Sequence, residues 1–490
     1  MDSGARRISS VSTTRDLRVF ALVIVGLAFS AGVAVQSEAK DLTDVLARGF
    51  SFSALGKDTT ASARAVAPAF SAAVAQAVTQ EFPLASVAPA FTYRYNPAVD
   101  IFERLTGVPG PLFSERALTL GRGRFNVGVG YSFVDFHDLN GTDLDDVRSP
   151  ALLNELFFTE GIPRGRLPSG EPLSLAPVSV SLIRTHIELQ AHITVLTARY
   201  GITDTWDVSF SVPLVNTRLR VRNETVRAAD VDFSRAGFLF AGDGQRTLIP
   251  LGFFDRAGNQ IRDLSQVPFV KSQRPLQPLR RAGGSATGVG DLTLRSKYYF
   301  WQRGFGGAAL GLNLQLPSGA IRDFHGTNET HLTTSMYLSQ VLRERIEPHL
   351  NLGVDFNADD VDRSSFLYAV GATLLLGTKL GVVVDFIGRS EFGRLPVRVP
   401  PQGIYRGLTL DRAPNTCTAE QPCFLDLKKG FIAFPFFPAR IKRNDIADFS
   451  FGLRYTLGTS GSIFFGGVVP LNDDGFRSDF IPAGGIEYTF

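Results

Sequence analysis

The stretch RFNVGVGYSF, Arg124–Phe133, decides how the rest of the chain is read. Phe125, Val127, Val129, Tyr131 and Phe133 fall on one side of an extended backbone, while Arg124 and Asn126 fall on the other. Side chains that alternate with period two mark a strand lying between two unlike environments. The pattern returns in HIELQAHITV (His186–Val195), where Ile187, Leu189, Ala191, Ile193 and Val195 oppose His186, Glu188, Gln190, His192 and Thr194. It recurs in WDVSFSVPL (Trp206–Leu214), GDLTLRSKYYF, AALGLNLQLP, HLTTSMYLSQ, EPHLNLGVDF, FLYAVGATLLL, KLGVVVDFIG, DFSFGLRYTL, GSIFFGGVVPL and PAGGIEYTF. These segments predict about twelve strands.

The links between them decide the architecture. GITDT, WQRGFGG, LRER, GTK and GTSGS are short, and they alternate with longer connections, three of which run over about 139–182, 222–286 and 389–444. Such parity fits an up-and-down barrel with tight turns at one rim and larger loops at the other. A Greek-key sandwich has no reason to produce it. Most alternations run about 9–11 residues, the length needed to cross a bilayer at a tilt. The two tryptophans, Trp206 and Trp301, flank short links near Tyr200, Tyr298, Tyr299 and Phe300, as an aromatic girdle at one membrane interface would. The predicted fold is therefore all-β: a transmembrane up-and-down antiparallel β-barrel over residues 122–490.

If the apolar sides face lipid, the opposite sides line a lumen. That face is predicted to carry Arg124, Glu188, His192, Asp207, Asp291, Arg295, Lys297, His349, Asp355, Asp385 and Arg454. Both signs of charge are mixed there, whereas a strongly ion-selective pore is expected to show a ring of one sign. At the chain's end, GGIEYTF places Ile486, Tyr488 and Phe490 on the lipid side and Glu487 on the lumen side. A last strand of this kind, ending in an aromatic residue, is read as the seam that closes the barrel and as the signal met by the barrel-assembly machinery.

The rest of the chain is consistent with export. Arg6, Arg7, Arg15 and Arg18 precede an apolar run from Val19 to about Val35, and SEAK follows, so residues 1–39 are read as a signal peptide, with a short anchor as the competing reading. Beyond residue 40 no apolar run approaches the length of a helical span. With 50 Lys+Arg against 47 Asp+Glu there is no basic excess to bind nucleic acid. Residues 40–121 form an extension in which Val66, Phe70, Val74, Val78 and Phe82 recur as one stripe of a helix. This extension is either a periplasmic lead-in or a plug entering the lumen.

Little in the sequence points to chemistry. Cys417 and Cys423, the only two cysteines, suit a small loop disulfide in an exported chain. The acidic loop DFHDLNGTDLDD, around Asp138–Asp146, offers oxygen ligands, but its glycine is not placed as a helical calcium loop requires, and a solvated loop is expected. No GxSxG elbow accompanies the six histidines, so no catalytic residues, metal or cofactor are expected.

The segments EFPLASVAPAFTYRYNP, LFSERALTLGRGRFNVGVGYSF, TARYGITDTWDVSFSVPLVNT and GVGDLTLRSKYYF, with the terminal Phe490, resemble bacterial outer-membrane porins related to the phenol meta-pathway (MetA-like) proteins, over residues 80 to 490. The resemblance implies an outer-membrane channel for passive uptake of small, hydrophobic or aromatic molecules, with membrane lipid and a small-molecule solute as its partners. Two alternatives stand beside it. One is an outer-membrane enzyme acting on lipid, with His192 or His349 as its base. The other is a structural or adhesive surface barrel.

Overall fold

The structure, a computed structural model, describes residues 41–50, 71–79, 89–96, 101–152, 180–228, 281–393 and 443–490, with short strand fragments and isolated residues between them. Twelve strands close into a barrel. They are β1 Phe125–Phe136, β2 Val180–Gly201, β3 Trp206–Ala228, β4 Leu292–Gln302, β5 Gly306–Leu316, β6 His331–Gln340, β7 Ile346–Asn357, β8 Ser365–Leu376, β9 Leu380–Glu391, β10 Ile446–Leu457, β11 Gly461–Pro470 and β12 Ile481–Thr489. Each pairs antiparallel with its chain neighbour, and β12 pairs with β1 through Ile486↔Val129 and Tyr488↔Val127. Closure leaves no free edge, the condition for a sheet to sit in lipid.

Two details depart from a plain meander. Ala282–Val289 pairs with β3 just before β4 does, so the fourth strand is interrupted at Gly290 and Asp291. The hairpin β2–β3, of 22 and 23 residues, rises well beyond its neighbours. The short links expected from the sequence lie at one rim: residues 202–205, 303–305, 341–345, 377–379 and 458–460. Phe125 and Phe490 meet at that rim, with their rings stacked at 6.1 Å. FTYRYNP adds no barrel strand; Tyr93–Asn96 pairs with Ile101–Arg104 as a separate hairpin.

Outward residues in the middle of the barrel are apolar and exposed, among them Leu310, Leu312, Val370, Phe449, Phe451 and Phe465. Trp206, Tyr298, Phe300 and Trp301 are exposed near the turn rim. Tyr299, expected in the same girdle, instead turns inward and packs with Ala117, Leu118 and Tyr337, because it alternates with its neighbours.

The interior is filled from the N-terminal side. Helix α1, Leu42–Phe50, packs beside β3, and Asn223 donates to the Gly49 carbonyl at 2.6 Å. A second helix, α2, covers residues 71–79 and buries Ala73, Val74, Ala77 and Val78 in the same cluster as Leu219 and Val221. Val74 and Val78 belong to the predicted stripe, whereas Val66, Phe70 and Phe82 lie outside the described residues. So do the signal segment and Cys417 and Cys423. No helix among the described residues is long and apolar enough to cross a membrane.

A candidate solute chamber inside the barrel

Residues 108–121 run through the turn-rim half of the lumen and are buried throughout. The strands hold this segment by side chains that point inward. Leu120 N–H donates to Asp207 at 3.1 Å, Ala117 N–H to Ser339 Oγ at 3.0 Å and Glu115 N–H to Asn351 at 2.7 Å. Ser114 Oγ donates to Asp385 at 2.8 Å, and Arg116 Nε donates to Glu347 at 3.0 Å. The contacts therefore come from β3, β6, β7 and β9, which carries the segment across the full width of the barrel. Wall glycines make room for it: a Cβ at Gly452 would collide with Leu112, and one at Gly381 with Pro109.

The centre of this floor is Glu115. Lys297 Nζ lies 3.2 Å from its carboxylate and Arg199 3.4 Å away, while Lys297 also donates to the carbonyls of Arg116 and Leu118. Burial alone raises the carboxyl pKa, but the Lys297 and Arg199 cations outweigh it and hold the group below the usual glutamate value. Glu487 plays a similar part near the seam, accepting from Ala90 N–H at 2.6 Å, Arg454 at 3.1 Å and Ser462 at 2.9 Å.

Above Glu115 and below α2 lies a cavity of about 290 Å³. Phe113, Ser114 and Glu115 form its floor, and Val78 and Thr79 reach it from above. Ile193, Pro213 and Val215 line it on one side and Ile387 and Ile446 on another, interleaved with the polar Arg295, Asn313, Ser335, Asn351 and Asp355. Its volume sits near the lower end of small-molecule sites, about 300 Å³.

The predicted lumen residues divide into groups. Asp207, Lys297, Asp385 and, through Glu487, Arg454 belong to the floor network. Asp291, Arg295 and Asp355 line the cavity; Asp291 accepts from Gly319, Thr327 and Gln315, and Asp355 is 2.7 Å from His331. His349 is buried against Asp385. Arg124 lies at the turn rim, 4.4 Å over the Tyr93 ring. Glu188 and His192 are corrected: both face outward, Glu188 beside Arg220 and Arg222, and His192 2.8 Å from the Tyr131 hydroxyl. Their expected lipid-facing partners, Ile187 to Val195, instead fill the interior. The physical reason is that this part of β2 faces the apolar helices α1 and α2 on its inner side.

Ile486, Tyr488 and Phe490 are outward and exposed at the seam. In the acidic loop, Asp143 caps a short 3-10 turn through Asp145 N–H, and Asp146 pairs with Arg184 at 2.8 Å. No metal-holding group of His, Cys, Asp and Glu occurs among the described residues. Glu115 and Arg116 are not foretold by the strand pattern, because their role depends on chain crossing the lumen. The uninterrupted GVPGPLFSERALTLG, without strand or helix periodicity, was the available clue.

Asp385 stands between a serine and a histidine, since Ser114 Oγ and His349 Nε2 both bond to its Oδ1. A nucleophilic relay needs the imidazole between the hydroxyl and the carboxylate. This order is different, and it gives His349 no path to the Ser114 proton.

Among curated proteins none matches this chain. The solved outer-membrane channel of the COG4313 group from Pseudomonas putida F1 aligns with TM-score 0.38 and 11% identity, over 76% of this chain and 98% of its own. A FadL homologue from Pseudomonas aeruginosa aligns with TM-score 0.27 and 9% identity, over 83% and 95%. Residues 185–390, from β2 to β9, match the model of the family described as "Putative MetA-pathway of phenol degradation", and over that stretch the chain is similar to that family.

Proposed function

We propose that the protein sits in the bacterial outer membrane and admits small solutes passively, hydrophobic or aromatic ones among them. The observation that carries this reading is the cavity of about 290 Å³ inside the closed barrel, lined by apolar and polar side chains together. A wall of that kind can desolvate an apolar body while keeping hydrogen bonds available to a polar end. The segment 108–121 narrows the turn-rim half, so flux depends on movement of that segment or on passage around it. The mixed charges of the interior favour small solutes over a stream of ions of one sign.

Liposomes loaded with the purified full-length protein should take up benzyl alcohol and phenol faster than protein-free liposomes, and should show small or no steady ion conductance. Uptake equal to that of protein-free vesicles for every small solute tried would overturn the proposal. An adhesive barrel would give that result together with binding through the outer loops. For the lipid-acting reading, the outward, tyrosine-bonded His192 and the Asp385-bonded His349 provide no assembled nucleophile.

A further inference from the structure

The charges around the chamber do not cancel at every position. Asp207 and Glu115 are matched by Arg199 and Lys297, with Arg199 4.0 Å from Asp207 and Lys297 3.2 Å from Glu115. Asp291 and Asp355, the carboxylates higher on the wall, are met by hydrogen-bond donors. Arg295 is different: among the described residues its guanidinium makes no close ion pair and its Nε is buried without a hydrogen-bond partner, while the Glu115 carboxylate, already held by Lys297 and Arg199, acts on it from farther away. Arg295 lines the chamber directly opposite Asn313 in the ladder, and the apolar Pro213 and Val215 of β3 line the same cavity. A half-buried guanidinium with one nitrogen buried and unpartnered gains from a ligand that supplies negative charge and an acceptor.

We propose that Arg295 is the anchor of a carboxylate subsite, and that the chamber takes small monocarboxylates whose apolar body lies against Pro213, Val215 and Phe113. The guanidinium is suited to hold both carboxylate oxygens at once, a geometry that a neutral hydroxyl cannot reproduce. Asn313 adds a neutral donor beside it. The cavity has room for a body of at least one aromatic ring or a short aliphatic chain. This subsite rests on the uptake reading above, but its test does not depend on flux.

Equilibrium binding of radiolabelled benzoate and of benzyl alcohol to the full-length protein in detergent separates the two. Benzoate should bind the unsubstituted protein about tenfold or more tightly than benzyl alcohol, the increment of a hydrogen bond to a charged group. In Arg295→Gln that preference should fall to about one, and Arg295→Lys should keep part of it. Heat-modifiable gel migration reports whether each variant is folded. Equal binding of the two ligands by the unsubstituted protein would overturn the subsite even if a variant failed to fold, and so would a preference retained by folded Arg295→Gln. Loss of solute uptake with the benzoate preference intact would overturn the channel and leave the subsite standing.

Discussion

Strand β9 and the hairpin β2–β3 follow the same backbone alternation, yet they present it to different surroundings. In β9, Val384 and Phe386 face outward and exposed while Asp385 is buried inside. The lower part of β3 does likewise, with Asp207 and Ser209 inside and Trp206 outside. From Val215 onward the polarity reverses: Val215, Leu219 and Val221 are buried inside, and Arg218, Arg220 and Arg222 are exposed outside. Nothing in the ladder changes at that point, since β2 and β3 stay in one register from Gly201↔Asp207 to Ser181↔Arg227. The neighbours change instead. Outside, exposed apolar side chains give way to exposed arginines; inside, the polar floor gives way to the apolar faces of α1 and α2. Period two reports a boundary between environments and does not say which of them is the lumen.

The largest effect expected from breaking this arrangement is at Leu219, which is fully buried in the upper cluster. Leu219→Asp places an unpaired charge among α1, α2 and β2, at a cost of about 3–5 kcal/mol. Urea unfolding in detergent should show the loss, and a variant as stable as the parent would mean that the upper interior is wet. Next is Phe451→Arg on the outward face of β10, 43% exposed. In lipid this should cost about 2–4 kcal/mol near mid-depth. Refolding into vesicles checks it, and the penalty should shrink in detergent, where the head group can reach water.

These two substitutions also mark what could be read from the sequence. The twelve strands and the parity of their links were legible because most of β4 to β12 set exposed apolar residues outside against polar or small residues inside. Asp207, Lys297, Asp385 and Arg454 were legible as inward for the same reason. Glu188 and His192 were not, because the residues that decide their orientation lie in α1 and α2, about a hundred or more positions away in sequence. The floor was less legible still. Glu115 and Arg116 lie in a stretch with no periodicity, and their partners Lys297, Arg199 and Glu347 come from three separate strands. A burial that is non-local leaves no pattern in the segment itself.

A smaller, local effect is expected at the floor. Glu115 has a carboxyl pKa below its ordinary value of 4.5, so its contribution to holding residues 108–121 is fully present above about pH 4.5 and is lost as pH falls through the folded value. Protonation removes the charge that faces Lys297 and Arg199. Labelling of Ala117→Cys by a water-soluble thiol reagent should stay slow between pH 7 and 5, and should accelerate below the glutamate range when tested with a reagent active in acid. Adding Gly452→Leu to that variant should produce the same accelerated labelling at neutral pH, because the new side chain occupies the space of Leu112. A thiol at position 117 that stayed protected in the double variant would show that the wall can yield without moving the segment.

The smallest effect should come from Arg220→Leu, and its smallness is what sharpens the comparison. Arg220 faces outward, as Phe451 does, but its side chain is 46% exposed and it pairs with Glu188 at 3.3 Å. Exposed pairs of this kind contribute about 0.2–1 kcal/mol, and Arg222 remains beside Glu188 when Arg220 is removed. Arg220→Leu should therefore shift the urea midpoint by little, in vesicles as in detergent. If lipid reached this height on the hairpin, exchanging a charge for leucine would instead stabilise the protein in vesicles by an amount similar to the penalty of Phe451→Arg. Near equality of parent and variant in both media would place the upper edge of the lipid band below Arg220, where the inward and outward faces of β3 exchange their character.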